Sequence, residues 1–294
     1  MDILIVKNIS SNKAEPNYVH DGGIIAAIFL ALISFIFTCL VNGLASTGPN
    51  KFFNKSTAKL AFLVYSIVNI WRKTDDGFLY IHPYTLHVAI FILFIANILL
   101  NSFWLVLWDR LKFGFSTIIL YLMVATIVGA CVLDHIFLWQ TRWDFIRLNK
   151  SGDIWMMRFI VLNGHAVYSA WLLVASSLNL TIWLKNKLPL NVEGWATTIS
   201  LILLTIGIIV YWIFENFIFP SPMAYTWSPW LVWFVSLIGI LSKHWRLLLK
   251  KSFNQLVVLM ITFLCFGLFC VRVILFIVRY TRQEIPTGSY PAGL

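Results

Sequence analysis

The chain has 294 residues, 60% of them hydrophobic and only 12% charged, with a mean hydropathy of +0.84. No soluble domain could hide that much apolar surface in one core. The net charge of +10 would suggest a nucleic-acid binder in a soluble protein; here it reflects Lys and Arg in loops and at the ends of apolar stretches, where they face headgroups, and no nucleic acid is expected.

Residues 1–22 read as a polar tail without the basic, apolar and small-residue order of a cleavable signal. Seven apolar stretches follow, at 23–44, 87–108, 113–139, 156–184, 195–219, 227–245 and 254–278. Each meets the roughly 20 residues a helix needs to cross a hydrocarbon core of about 30 Å. An eighth, 60–71, falls short of that length. Spans must be helical because each has to satisfy its own backbone groups in lipid. The expected fold is therefore all-α, a polytopic bundle of about seven or eight spans. It forms a single transmembrane domain over 23–280, followed by a C-terminal tail at 281–294. Lys and Arg divide almost evenly between the two sides, so no orientation follows from charge. The cluster Lys243, His244, Arg246, Lys250 and Lys251 is the densest and suits anionic lipid. The sequons at Asn8 and Asn54 lie on opposite sides of the first span.

Polar side chains inside hydrocarbon are costly and mark function or helix contacts. Asn97, Asn101, Trp104 and Trp108 recur at helical spacing on one face. Amides there could hold a polar ligand edge, with the indoles stacked on a flat body; equally, they could bond neighbouring helices. In the 156–184 span, His165, Ser169, Ser176 and Asn179 form a stripe, with Tyr168 and Trp171 beside it. Glu215 is expected at the headgroups and Arg272 to snorkel, the alternative being a pair between the two. Asp134 and His135 are expected near the end of their span. The four cysteines lie in apolar stretches without CxxC spacing, so no metal or disulfide framework is indicated. No nucleophile elbow, HExxH or phosphate loop is present; no catalytic residue and no cofactor are assigned, and the chain is not expected to be an enzyme.

The stretches 41–50, 97–110, 167–180 and 227–245, in a chain with 14 Trp, carry a resemblance. In this order they resemble a longer multi-pass animal group distantly similar to the TspO/MBR family, the tryptophan-rich sensory or translocator proteins. The resemblance implies a five-helix unit around a pocket for a porphyrin or sterol-like molecule. Asn97, Asn101, Trp104 and Trp108 would match the Asn/Trp face of a middle helix, and Trp171 and Asn179 the aromatic and amide positions of a later one. This chain departs from the pattern in the absence of proline from 56–71, in the early arrival of the charged stretch 72–77, and in two or three additional spans. The expected function is binding or carriage of a small hydrophobic planar ligand in a pocket that includes His165 and Tyr168. A proton-coupled permease and a scaffold without a ligand are the alternatives. Membrane lipids are the expected partners, with a homodimer left open. The resemblance hints at a mitochondrial or endomembrane location.

Overall fold

The computed structural model describes residues 18–45, 57–187, 193–245 and 253–282; of 42–45, 57–58, 193 and 243–245 only the backbone is described. Residues 1–17 and 283–294, both sequons, 46–50 of the 41–50 stretch and the side chains of the basic cluster after Ser242 lie outside the described residues. The helices are α1 Gly22–Ala45, α2 Thr57–Asn69, α3 Val88–Asp109, α4 Phe113–Arg147, α5 Ser151–Met156, α6 Asn163–Lys187, α7 Glu193–Ile213, α8 Ser228–Trp245 and α9 Phe253–Thr281. A π-helical turn, Met157–Leu162, joins α5 to α6, and a second, Phe214–Ile218, ends α7. Among the described residues, six helical stretches are long and apolar enough to cross a membrane. That is the architecture of an all-α integral membrane protein.

Two helices are shorter than a crossing. The eighth stretch forms α2, whose 13 residues span about 20 Å at 1.5 Å each, less than the hydrocarbon core. The apolar part of α8, Ser228–Ser242, is also short.

Successive helices alternate in direction, so α1, α3, the α5–α6 rod and α8 all start on one side. A small cap covers that side. Strands β1 Lys73–Thr74 and β2 Gly77–Phe78 pair antiparallel, Lys73 opposite Phe78. His20 stacks on Phe78 at 4.0 Å, and the Tyr80 hydroxyl accepts from the Asp21 amide at 2.9 Å. Arg72 donates to both oxygens of Asp153, at 2.5 and 2.9 Å, which ties the cap to α5 and raises the guanidinium pKa. Arg147 reaches Asp76 at 2.7 Å.

The core has two halves that share α6. Phe62, Phe91, Phe94 and Phe145 lead the packing of α1–α5 under the cap. Trp230, Trp233, Leu204, Ile208 and Cys265 lead the packing of α7, α8 and α9. Trp104, Met123, Ile127 and Leu172 fill the seam between α3, α4 and α6.

Candidate functional site

The most polar part of the interior lies where the connection between α7 and α8 dips into the bundle. Residues 220–227 contain Pro220 and Pro222, which cannot continue a helix. Instead of running along the surface, the segment buries Met223, Ala224 and Thr226. Its backbone groups then need partners, since no water is on hand in the bilayer interior. Side chains from three helices supply them, and a fourth helix holds the Thr226 hydroxyl.

Asn163, at the junction of the first π turn and α6, does the most. Its amide nitrogen donates to the carbonyls of Arg158 at 2.7 Å and Tyr225 at 2.9 Å. Its amide oxygen accepts from the backbone of Trp227 at 3.1 Å and Ser228 at 3.2 Å, so it caps α8 from a distance. Both donors and both lone pairs of the amide are in use. On α4, His135 Nδ1 lies 2.6 Å from the Cys131 carbonyl, which can only accept. That nitrogen therefore carries the hydrogen, and Nε2 accepts from the Thr226 hydroxyl at 2.8 Å. Tyr211 of α7 donates to the Thr226 carbonyl at 3.1 Å.

Arg272 of α9 fastens the near end of the same segment. Its Nη2 donates to the Ala224 carbonyl at 2.7 Å, and its Nε to Glu215 Oε1 at 2.7 Å. Trp230 donates to the other Glu215 oxygen at 3.0 Å, and the guanidinium lies 3.3 Å from the Trp227 ring centre. Both charged side chains are 2% exposed. Glu215 therefore does not stand at the headgroups, and Arg272 does not snorkel. The second π turn swings Glu215 inward and the dipping segment offers a carbonyl, so the pair is better satisfied inside than at either surface. Asp134 and His135 are likewise not at a helix end: α4 runs on to Arg147, and both are buried. Asp134 Oδ2 accepts from His165 Nδ1 at 2.6 Å.

Beside this polar band lies a cavity of about 290 Å³. Its walls come from α4, α6, α7 and α8, with Phe219 and, from the dipping segment, Met223. The lining is apolar apart from a few groups, chiefly His135, Ser169, Tyr211 and Trp233. Tyr211 and Trp233 meet edge to face at 5.1 Å. The Trp233 indole N–H is buried without an acceptor. Val128, Val210 and Phe214 on the wall are 43%, 46% and 37% exposed, so the cavity opens sideways, where lipid would lie. Gly207 permits this geometry: a Cβ there would come within 2.5 Å of Leu173.

The residues expected from the sequence are placed as follows. Asn97 is buried and donates to the Met123 carbonyl at 2.8 Å and to Thr126 at 3.0 Å, holding α3 to α4. Asn179 donates to Ser116 at 2.9 Å, holding α6 to α4. Trp104 and Trp108 pack on each other at 5.9 Å, and Trp108 meets Phe113 at 5.2 Å; Asn101 is half-buried on the same face. Tyr168 packs with Trp104 and Trp108 in the α3–α4–α6 seam. His165 packs tilted against Phe62 at 4.9 Å besides its bond to Asp134. Trp171 stands apart, 55% exposed on the outer face. None of the eight lines the cavity described above. Asp134, Asn163, Thr226 and Trp233, which carry much of the observed site, have no local sequence motif that marks them.

Among the described residues, no group of three or more His, Cys, Asp or Glu converges as a metal site. Comparison of the chain with protein-family models, with curated proteins and with solved structures finds no match.

Proposed function

We propose that this integral membrane protein binds a small hydrophobic molecule drawn from the bilayer into the cavity between α4, α6, α7 and α8. The observation that carries the reading is the combination of an apolar lining, a lipid-side mouth and a buried Trp233 N–H without an acceptor. An apolar pocket with a few convergent polar groups is the usual form of a small-molecule site. The volume is at the lower end of such sites. It favours a body of one or two rings, or one end of a sterol-like molecule, over an enclosed tetrapyrrole. The role is binding or carriage rather than catalysis.

The likeness to TspO/MBR proteins belongs to the same proposal. It rests on the sequence stretches that carry it. On this reading, Asn97 and Asn179 hold helices together and the ligand lies between α4 and α6 of that unit and the added α7 and α8.

Photolabelling with a diazirine sterol, with protoporphyrin as competitor, tests the site. Label is expected on α4, α6 or α7 and should be lost on Val128→Trp at the mouth and Ala170→Phe in the wall, while Trp104→Ala leaves it unchanged. Labelling indifferent to both filling variants, or abolished by Trp104→Ala, overturns the assignment.

A further inference from the structure

A second locus lies on the other side of α6, independent of that cavity. Lys59, in the first helical turns of α2, is 4% exposed. Its Nζ stands 4.3 Å from the centre of the Tyr168 ring. The ion pairs among the described residues are those of Arg72, Arg147, His165 and Arg272, and no carboxylate lies within 4.0 Å of Lys59. The Tyr168 hydroxyl is buried and has no hydrogen-bond partner.

The depth of Lys59 follows from its neighbours. One turn further along α2, Phe62 packs on Phe94 at 5.0 Å and on His165 at 4.9 Å. Phe94 is near the start of α3, and Lys59 is displaced from that level by about one turn toward the far end. It therefore lies level with the middle of α3, around Ile98. So Lys59 is buried about half-way through the bundle.

The first turn of α2 holds no acid. The stretch 46–56 that leads into it has Lys51 and Lys55 but no Asp or Glu. When protonated, Lys59 is a charge in apolar surroundings, and such a charge is held only when it is paired. An inorganic ion would have to be stripped of water to reach this depth, whereas an anion with its own apolar body partitions there.

We propose that Lys59 and the Tyr168 hydroxyl form a binding site for the oxyanion head of an acyl-chain lipid, a fatty-acid carboxylate or the phosphate of an anionic phospholipid. The ammonium and the hydroxyl donate to the head, and the chain extends into the bilayer.

The test uses the full chain in a neutral maltoside detergent, with anthroyloxy-stearate and its methyl ester as probes. The acid should bind at least about tenfold more tightly than the ester, the worth of one charge-assisted hydrogen bond. Lys59→Met should erase that preference and Lys59→Arg should keep most of it. Displacement by oleate identifies the carboxylate as the head, and displacement by phosphatidic acid alone identifies the phosphate. Equal binding of acid and ester, a preference that survives Lys59→Met, or displacement by chloride overturns the proposal. If Lys59→Met does not fold, the acid-to-ester ratio of the unaltered chain decides by itself.

Discussion

Arg272 and Lys59 are both cations enclosed by apolar helices, and their surroundings are opposite. Arg272 has a carboxylate at 2.7 Å, a backbone carbonyl at 2.7 Å and an indole face at 3.3 Å. Lys59 has an aromatic face and, among the described residues, no carboxylate within 4.0 Å. Every charge in a low-dielectric interior needs compensation. Where the chain provides it, the charge holds the fold; where it does not, the missing partner has to come from elsewhere. The contrast separates a structural cation from a receptive one without reference to any relative.

The largest effect belongs to the paired cation. Arg272→Met leaves Glu215 buried with only the Trp230 N–H, and the Ala224 carbonyl without its donor. The expected loss is about 3–5 kcal/mol of stability, as for other broken buried pairs, read as a lowered unfolding midpoint in detergent. Replacing both partners, Arg272→Met with Glu215→Leu, should recover much of that loss, since a matched apolar pair avoids the unpaired charge. If the double variant is as unstable as the single one, the role of the pair is to hold the dipping segment through Ala224 and not to neutralise charge.

Next is Asn163, which grips that segment without charge. Asn163→Ala removes two donors and one acceptor oxygen that serves two amides. The expected cost is about 2–4 kcal/mol, because buried backbone groups are left unpaired. Hydrogen exchange should rise first at Trp227 and Ser228. Exchange that rises evenly over all helices would mean that Asn163 supports the bundle as a whole and not the loop.

How much of this could be read from the sequence varies with the physics involved. Length and apolarity are local, so the six crossing helices found among the described residues and the shortness of 60–71 are plain in the chain; 227–245 also reads as a crossing, whereas its described apolar part, Ser228–Ser242, is short. The face of Asn97 and Trp104 is also plain, because helical spacing is local. Its partner is not: Asn97 bonds a backbone carbonyl of α4, and every residue has one of those. Asp134 and His165 are 31 residues apart on different helices, a distance no spacing rule covers. The inward turn of Glu215 depends on the π turn at Phe214–Ile218, which has no sequence signature; without it, the headgroup position is the reasonable expectation. Lys59 stood in plain view as one of several loop lysines. Only its burial distinguishes it.

Lys59→Met should move stability in the opposite sense to Arg272→Met. Removing an uncompensated buried ammonium leaves a side chain of similar length in apolar surroundings. In lipid-free detergent the variant should be more stable by about 1–3 kcal/mol, the order of an unsatisfied buried polar group. Added oleate should stabilise the unaltered chain and not the variant, by linkage of binding to folding. A Lys59→Met protein that unfolds more easily than the parent would mean that the ammonium already has its counter-charge within the chain.

The smallest effect is at Thr226, where the dipping segment meets the cavity wall. Thr226→Val keeps the shape of the side chain but removes the donor to His135 Nε2. One neutral hydrogen bond is worth about 1 kcal/mol, so folding should be little changed. The cavity should respond more than the stability does. His135 and Met223, three residues before Thr226, both line it, so loosening this contact frees that wall before it frees the fold. Faster dissociation of the photolabelled sterol's unmodified analogue, with an unfolding midpoint nearly that of the parent, would identify the α7–α8 connection as the element that retains the ligand. Unchanged dissociation would confine its role to closing the bundle.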